Sequence, residues 1–219
     1  INYEKYTLKK TLEGRFVNAL AVHKDIIISG SGKYRGHAHI KLWTLEGECI
    51  RTLKGHFRGV CALAVHKDTI ISGSYDTYIK LWTLEGECIR TLEGNSGTVH
   101  ALAVHKDTII SGSGNWQSGE IKLWTLEGKC IRTLKGHSEQ VTALVIHKDT
   151  IISGSLDTIK LWNLEGRCLR TLKGHSRMYV EALAVHKDTI ISGSYKEIKL
   201  WTLEGECIRT LKGHSDYVQ

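Results

Sequence analysis

A unit of about 40 residues is written five times along this 219-residue chain, and that repetition constrains the fold more than any other feature. Its landmarks are Trp43, Trp82, Trp124, Trp162 and Trp201. A period of this length means that each unit is one supersecondary element that buries its apolar surface only against its neighbours. The second unit, from Gly55 to Gly94, shows the internal plan. Val60–Val65 is an apolar-rich run and His66-Lys67-Asp68 a turn. Thr69–Ser72 is a β-branched run, and Gly73–Thr77 has loop chemistry. Tyr78–Thr83 alternates, with Ile79 and Leu81 on one face and Lys80 and Trp82 on the other. Glu85-Gly86 turns again before Cys88–Leu92. Four short strands separated by Gly, Asp and Ser predict an antiparallel all-β unit, and no helical period competes with that reading. A sheet this small cannot bury both faces alone, whereas radial stacking can. The expected fold is therefore a β-propeller of four-stranded antiparallel blades, five in number, forming one domain over residues 1–219 with an extra outer strand at 6–14.

Composition narrows the class. With 41% hydrophobic and 24% charged residues the chain is an ordinary globular one, which argues against disorder. Every apolar run soon meets a charge, so no membrane span is expected. The opening Ile-Asn-Tyr-Glu-Lys-Tyr lacks the apolar core of a signal peptide, so a cytoplasmic protein is expected. The absence of Pro fits amplification of one Pro-free unit. The net charge of +7 is spread at intervals rather than gathered in a tract, which weighs against nucleic acid as a partner. Five of the six cysteines (Cys49, Cys88, Cys130, Cys168 and Cys207) precede an Ile-Arg or Leu-Arg step; the sixth is Cys61. Equivalent positions in successive units lie too far apart for disulfides, so buried free thiols are expected.

Gly-His at the start of a unit, Ser-Gly-Ser before its third strand and Ile-Lys-Leu-Trp within that strand resemble the WD40 repeat family, from about Leu8 to Val218. Two departures stand out. The Asp that follows the Trp in that family is Thr83 here, or Asn163 in the fourth unit, and the Pro-Asp-Gly turn is His-Lys-Asp. The resemblance implies a non-enzymatic interaction module. It also implies a buried polar network in each blade, linking His56, Ser72, Asp76 and Trp82 in the second and His137, Ser153, Asp157 and Trp162 in the fourth, whose loop is one residue shorter. The fifth keeps His175, Ser192 and Trp201 but has Lys196 at the Asp position; the third has Asn95, and the first Arg15, at the His position. Such a network would satisfy buried polar groups and tie loop to strand.

Closure is irregular. Leu8–Gly14 reads as a fourth strand that precedes any blade, although the fifth blade has its own at Cys207–Gly213. After that, HSDYVQ copies the start of another unit. The resemblance implies closure by an N-terminal strand completing the last blade, but that slot is taken. The expectation is five closed blades in a monomer, with one terminal strand displaced. The alternative is an oligomer in which other chains complete the ring.

Strand order puts the first and third turns of each unit on one end and the second turns and inter-unit loops on the other. The first end is nearly constant, with His-Lys-Asp and Leu-Glu-Gly five times each. The second varies, and it collects the residue types enriched in contact patches. Candidate partner-binding residues there are Tyr34, Arg35, His37, Phe57, Arg58, Tyr75, Asn115, Trp116, Gln117, Met178 and Tyr179. A ring at the channel mouth also varies (Asn18, Cys61, His100, Thr142, Glu181), either to meet a ligand or because the position is solvated and unconstrained. The trio Ser72, His56 and Asp76 is not a hydrolase triad, because a nucleophile must be exposed beside an oxyanion site and this set belongs inside a blade. The glycine loops at Gly30–Gly36 and Gly112–Gly119 feed strands rather than a helix, so they are poor phosphate cradles. His37 and His39 alone fall short of a metal site. No catalytic residue, metal or cofactor is assigned. The leading reading is a protein- or peptide-binding scaffold. A recently amplified or designed repeat with no evolved ligand is the alternative. Nucleic-acid or phospho-ligand binding through Lys33, Arg35, Arg58 and Arg177 is the third.

Overall fold

The computed structural model describes residues 16–176 and 178–218, so the strand expected at 6–14, Arg15 and Arg177 lie outside the described residues. Twenty strands form five sheets. Blade 1 holds β1 (Val17–His23), β2 (Ile26–Ser31), β3 (His39–Thr44) and β4 (Cys49–Leu53). Blade 2 holds β5 (Val60–His66), β6 (Thr69–Ser74), β7 (Ile79–Trp82) and β8 (Cys88–Leu92). Blade 3 holds β9 (Thr98–His105), β10 (Thr108–Asn115), β11 (Ser118–Thr125) and β12 (Cys130–His137). Blade 4 holds β13 (Ala143–His147), β14 (Thr150–Gly154), β15 (Thr158–Asn163) and β16 (Cys168–Lys173). Blade 5 holds β17 (Ala182–His186), β18 (Thr189–Gly193), β19 (Tyr195–Thr202) and β20 (Cys207–Tyr217). Each sheet is an antiparallel meander in chain order, and together they make a five-bladed propeller. The alternation within β7 has the expected consequence: Ile79 and Leu81 face blade 3, and Trp82 faces blade 1.

Packing between blades supplies the core. Ile28, Ile40, Leu42 and Leu53 of blade 1 meet Val60, Ile70 and Trp82 of blade 2, and the same sets recur between blades 2 and 3, 3 and 4, and 4 and 5. Each of these four seams buries its large side chains almost completely, which is the main source of stability in a sheet only four strands wide. The second-strand glycine of the Ser-Gly-Ser motif makes the close approach feasible. A methyl group at Gly73 would lie 2.5 Å from the Val99 Cγ1 of the next blade.

The constant end is a second system of inter-blade contacts. His66 Nε2 and Lys67 Nζ converge on Asp107 Oδ1 of the following blade, at 2.9 and 3.1 Å. The pattern repeats from His23 and Lys24 to Asp68, from His105 and Lys106 to Asp149, and from His147 and Lys148 to Asp188. The lysine, and after it the histidine, holds each of these carboxyls below its usual range. Each lysine adopts a left-handed φ near +53° at the first position of a two-residue hairpin loop, where Gly or Asn is the ordinary choice. The His-Lys-Asp turn thus clasps one blade to the next, a role its chemistry gives it and Pro-Asp-Gly could not.

One expectation is corrected. Five cysteines are exposed rather than buried, and Cys61 is half-buried; all six are free. The five lie on the fourth strand, the outer edge of each blade, where only the leucine (Leu53, Leu92, Leu134, Leu172) turns inward. Blades 1 and 5 both line the central cavity, and among the described residues no apolar cluster, hydrogen bond or ion pair joins one to the other.

Because the Gly73 approach leaves no space, Gly73→Ala should lower unfolding free energy by about 1–3 kcal/mol, as over-packing generally does, measured by urea denaturation. An unchanged midpoint would mean that the seam adjusts freely.

Candidate interaction surface

The polar network begins with the indole. Trp43, Trp82, Trp124, Trp162 and Trp201 each donate Nε1–H to the buried hydroxyl of Ser29, Ser72, Ser111, Ser153 and Ser192, at 2.8–2.9 Å. In blade 2 the chain continues. Ser72 Oγ lies 2.7 Å from His56 Nε2, and His56 Nδ1 lies 2.8 Å from Asp76 Oδ2. An ionised carboxylate only accepts, so Nδ1–H donates to Asp76 and Nε2 accepts from Ser72. Burial alone would raise the Asp76 carboxyl, but His56 and the N–H groups of Phe57 and Tyr78 together hold it below the usual range.

The other blades solve the same problem with different residues. In blade 4, Asp157 does not reach His137. The one-residue deletion in its loop puts Asp157 at φ +55°, the left-handed turn position that Thr77 holds in blade 2, and its Oδ1 is buried without a partner. Thr158 Oγ1 sits at His137 Nδ1 instead, at 3.2 Å. In blade 5, Lys196 takes the same left-handed position and Glu197 Oε1 reaches His175 Nδ1 at 3.1 Å. In blade 3, Asn95 Oδ1 accepts from Ser111, and Glu120 accepts the Ser96 N–H at 2.8 Å, as Asp76 does from Phe57. The residue preceding Ile-Lys-Leu-Trp, on the third strand, thus substitutes for the loop aspartate. Its readable signal was Glu or Thr at that place.

On the variable end, three blades contribute to one aromatic run. Tyr34 meets Tyr75 edge-on at 5.4 Å, Tyr75 meets His100 at 6.1 Å, and the Arg58 guanidinium lies 5.0 Å from the Tyr34 ring centre. Cys61 lies beneath Tyr75, and burial pushes its thiol up to about 12. Burial, reinforced by Glu139, which accepts its hydroxyl proton, raises Tyr179 to about 12. Burial also raises Glu181. The structure does not bring the other candidates into this run. Asn115 closes a tight hairpin by accepting the N–H groups of Gln117 and Ser118, holding Trp116 out at its tip with 73% exposure. Phe57 is 78% exposed after the His56 loop, and Arg35 and His37 lie on an exposed loop of blade 1. Met178 lines a separate cleft of about 450 Å³ with His175, Tyr195 and His214.

Three of the five residues of the varied ring are held by hydrogen bonds to the next blade. Asn18 donates to Val60 O, His100 pairs with Gln140, and Thr142 donates to Val180 O, each reaching the next blade. Together with Cys61 and Glu181 these residues line a central cavity of about 290 Å³.

Desolvation, with Lys160 nearby, lowers His137 from 6.5 to about 3. Above pH 6.5 it is neutral whether folded or unfolded. As pH falls from 6.5 toward 3, the unfolded chain takes up a proton that the folded one refuses, so stability drops by about 1.4 kcal/mol per pH unit from this group. His137→Asn keeps an acceptor for Ser153, as Asn95 does in blade 3, and should make the loss of stability between pH 6.5 and 4.5 shallower by about one proton. Urea unfolding at several pH values measures this; an unchanged slope would show that His137 protonates in the folded state.

The WD domain, G-beta repeat family model matches residues 47–83, 86–125, 128–163 and 166–202. Each match runs from the third turn of one blade to the third strand of the next, so the family's unit spans a seam rather than one sheet. No curated protein matches the chain. With five Trp-centred blades, the seryl and histidyl network and four matches over most of its length, the chain belongs to the WD40 repeat family.

Proposed function

We propose that the chain is a non-enzymatic adaptor that binds a protein or peptide across its variable end. WD40 propellers generally serve as scaffolds for protein interaction and are typically non-catalytic. The observation that carries the reading is the placement of exposed aromatics. Phe16, Tyr34, Phe57, Trp116 and Tyr217 are the exposed aromatic side chains among the described residues, and all lie on the end bearing second turns and inter-blade loops. Rigid, amphipathic rings ordered by hydrogen-bonded turns lose little entropy on binding and make strong anchors.

The cations of this end favour a protein over a polyanion. Arg58 is stacked on Tyr34, and Lys33 lies 4.3 Å from the Phe16 ring centre. Cations stacked in this way present a mixed aromatic and charged surface rather than a phosphate-tracking stripe. No helix of the structure is long and apolar enough to cross a membrane.

The test is retention of a cytosolic protein by the intact chain and by a variant carrying Ala at Tyr34, Arg35, Phe57, Arg58, Trp116 and Tyr179, with folding checked by circular dichroism. Retention by the first alone is expected, with a loss of at least about 30-fold in affinity for even one hot-spot-sized anchor removed. Equal retention by both would move the binding surface elsewhere. Specific retention by neither would favour the ligand-free scaffold. A steep fall in affinity with salt would favour a nucleic-acid or phosphorylated partner.

A further inference from the structure

Among the described residues four seams are packed and a fifth, between blade 5 and blade 1, is not. The front face of blade 1 repeats that of blade 2, and although Trp43 is buried its first strand is exposed. Leu20 and Val22 are 66% and 67% exposed, whereas their counterparts Leu63 and Val65 pack against blade 1. The rear face of blade 5 repeats those of blades 1 to 4 and is partly exposed, with Ile191, Ile198 and Leu200 half-buried. Leu211 is 43% exposed, against 1–2% for Leu53, Leu92, Leu134 and Leu172. The clasp is divided in the same way. His186 and Lys187 have no acceptor, and Asp25 has no donor, among the described residues. Glu181 likewise makes no bond to a following blade, unlike Asn18, His100 and Thr142.

We propose that a second copy of this chain fills the seam, its blade 1 packing on blade 5 of the first. The rear face of blade 5 offers Ile191, Ile198, Leu200 and Leu211, and the front of blade 1 offers Leu20, Val22 and Ile27. These are the residue types that interlock at each internal seam. The clasp halves fall in register with them, so His186 and Lys187 of one copy meet Asp25 of the other. The tail has already taken one place. Val218 lies against Gly193 as Val180 lies against Gly154, and its N–H donates to Ser194 O at 3.0 Å as that of Val180 does to Ser155. With Val218 filling the first valine slot, Val17 of the incoming copy steps aside and the rest of the face docks. The contact is head-to-tail, so each copy uses two different surfaces, and the assembly closes only when both are made.

The experiment is light scattering after gel filtration of the intact chain at micromolar concentration, beside Val22→Glu and Leu211→Glu. Both substitutions are at exposed positions, so folding should survive, and circular dichroism checks it. The intact chain should run at two or more times 24.6 kDa. Each variant alone should run as a single chain. An equimolar mixture should give a pair and nothing larger, because Val22→Glu keeps a sound blade 5 and Leu211→Glu a sound blade 1. A single-chain mass for the intact protein would overturn the proposal, as would assemblies that neither substitution dissociates. Neither residue belongs to the variable end, so this outcome and that of the binding test are independent.

Discussion

Each blade sets one indole N–H against one buried seryl hydroxyl, and much else in the molecule follows from that bond. It joins the third strand to the second on the face turned toward the preceding blade, which fixes the indole where it can fill the seam. A tryptophan buried without a partner for its N–H would forfeit about 1–3 kcal/mol, so the serine is what allows so large a ring to lie there. The seryl oxygen then needs a neighbour, and the loop histidine or asparagine supplies it in blades 2 to 5. In blade 2 the histidine in turn orders the loop that carries the exposed Phe57, through the shared Asp76. A core hydrogen bond and a surface loop are thus connected through one imidazole.

The repeat made this architecture legible from the chain alone. The faces of Ile79 and Trp82 could be read from alternation, because period two leaves a side chain only two directions. The partner of the histidine could not be read so well. It depends on whether the loop is long enough to bring an aspartate to the ring or short enough to place that residue at a left-handed turn, as with Asp157. A one-residue deletion changes the geometry without changing the residue type. The His-Lys-Asp clasp was missed for a different reason. Its contacts join residues 40–45 positions apart in successive blades, and nothing within one unit announces them. The cysteines were misplaced because residue type predicts burial only on average, and the fourth strand is an edge.

Constancy at one end and variation at the other have a common physical cause. At the constant end, histidine and lysine from one turn and aspartate from the next form a contact that fails if either unit drifts alone. Five copies of the same three residues are therefore coupled around the arc. At the variable end, the loops are anchored from beneath by backbone and by the histidine network, as when Gly59 N–H donates to Lys33 O and Ser74 Oγ to Arg58 O. Side chains above those anchors carry none of the seam. They can differ from blade to blade without loss of packing, which is the condition a recognition surface requires.

The same economy determines what the blades cannot do. Their strands commit isoleucine, leucine, valine and tryptophan to seams, and serine and histidine to holding the indole. What remains chemically unspent is a rim of fourth-strand edges, a polar channel mouth largely occupied by bridges, and the loops. A chain built from nearest-neighbour seams gains stability additively with each one made, so a bare seam is a deficit as large as any present contribution. Recognition through the loops leaves that deficit untouched, because it lies along a different surface. Only a face with the same interdigitating residues and the same clasp can remove it, and the surface that meets this description is the one the chain already carries at its other end.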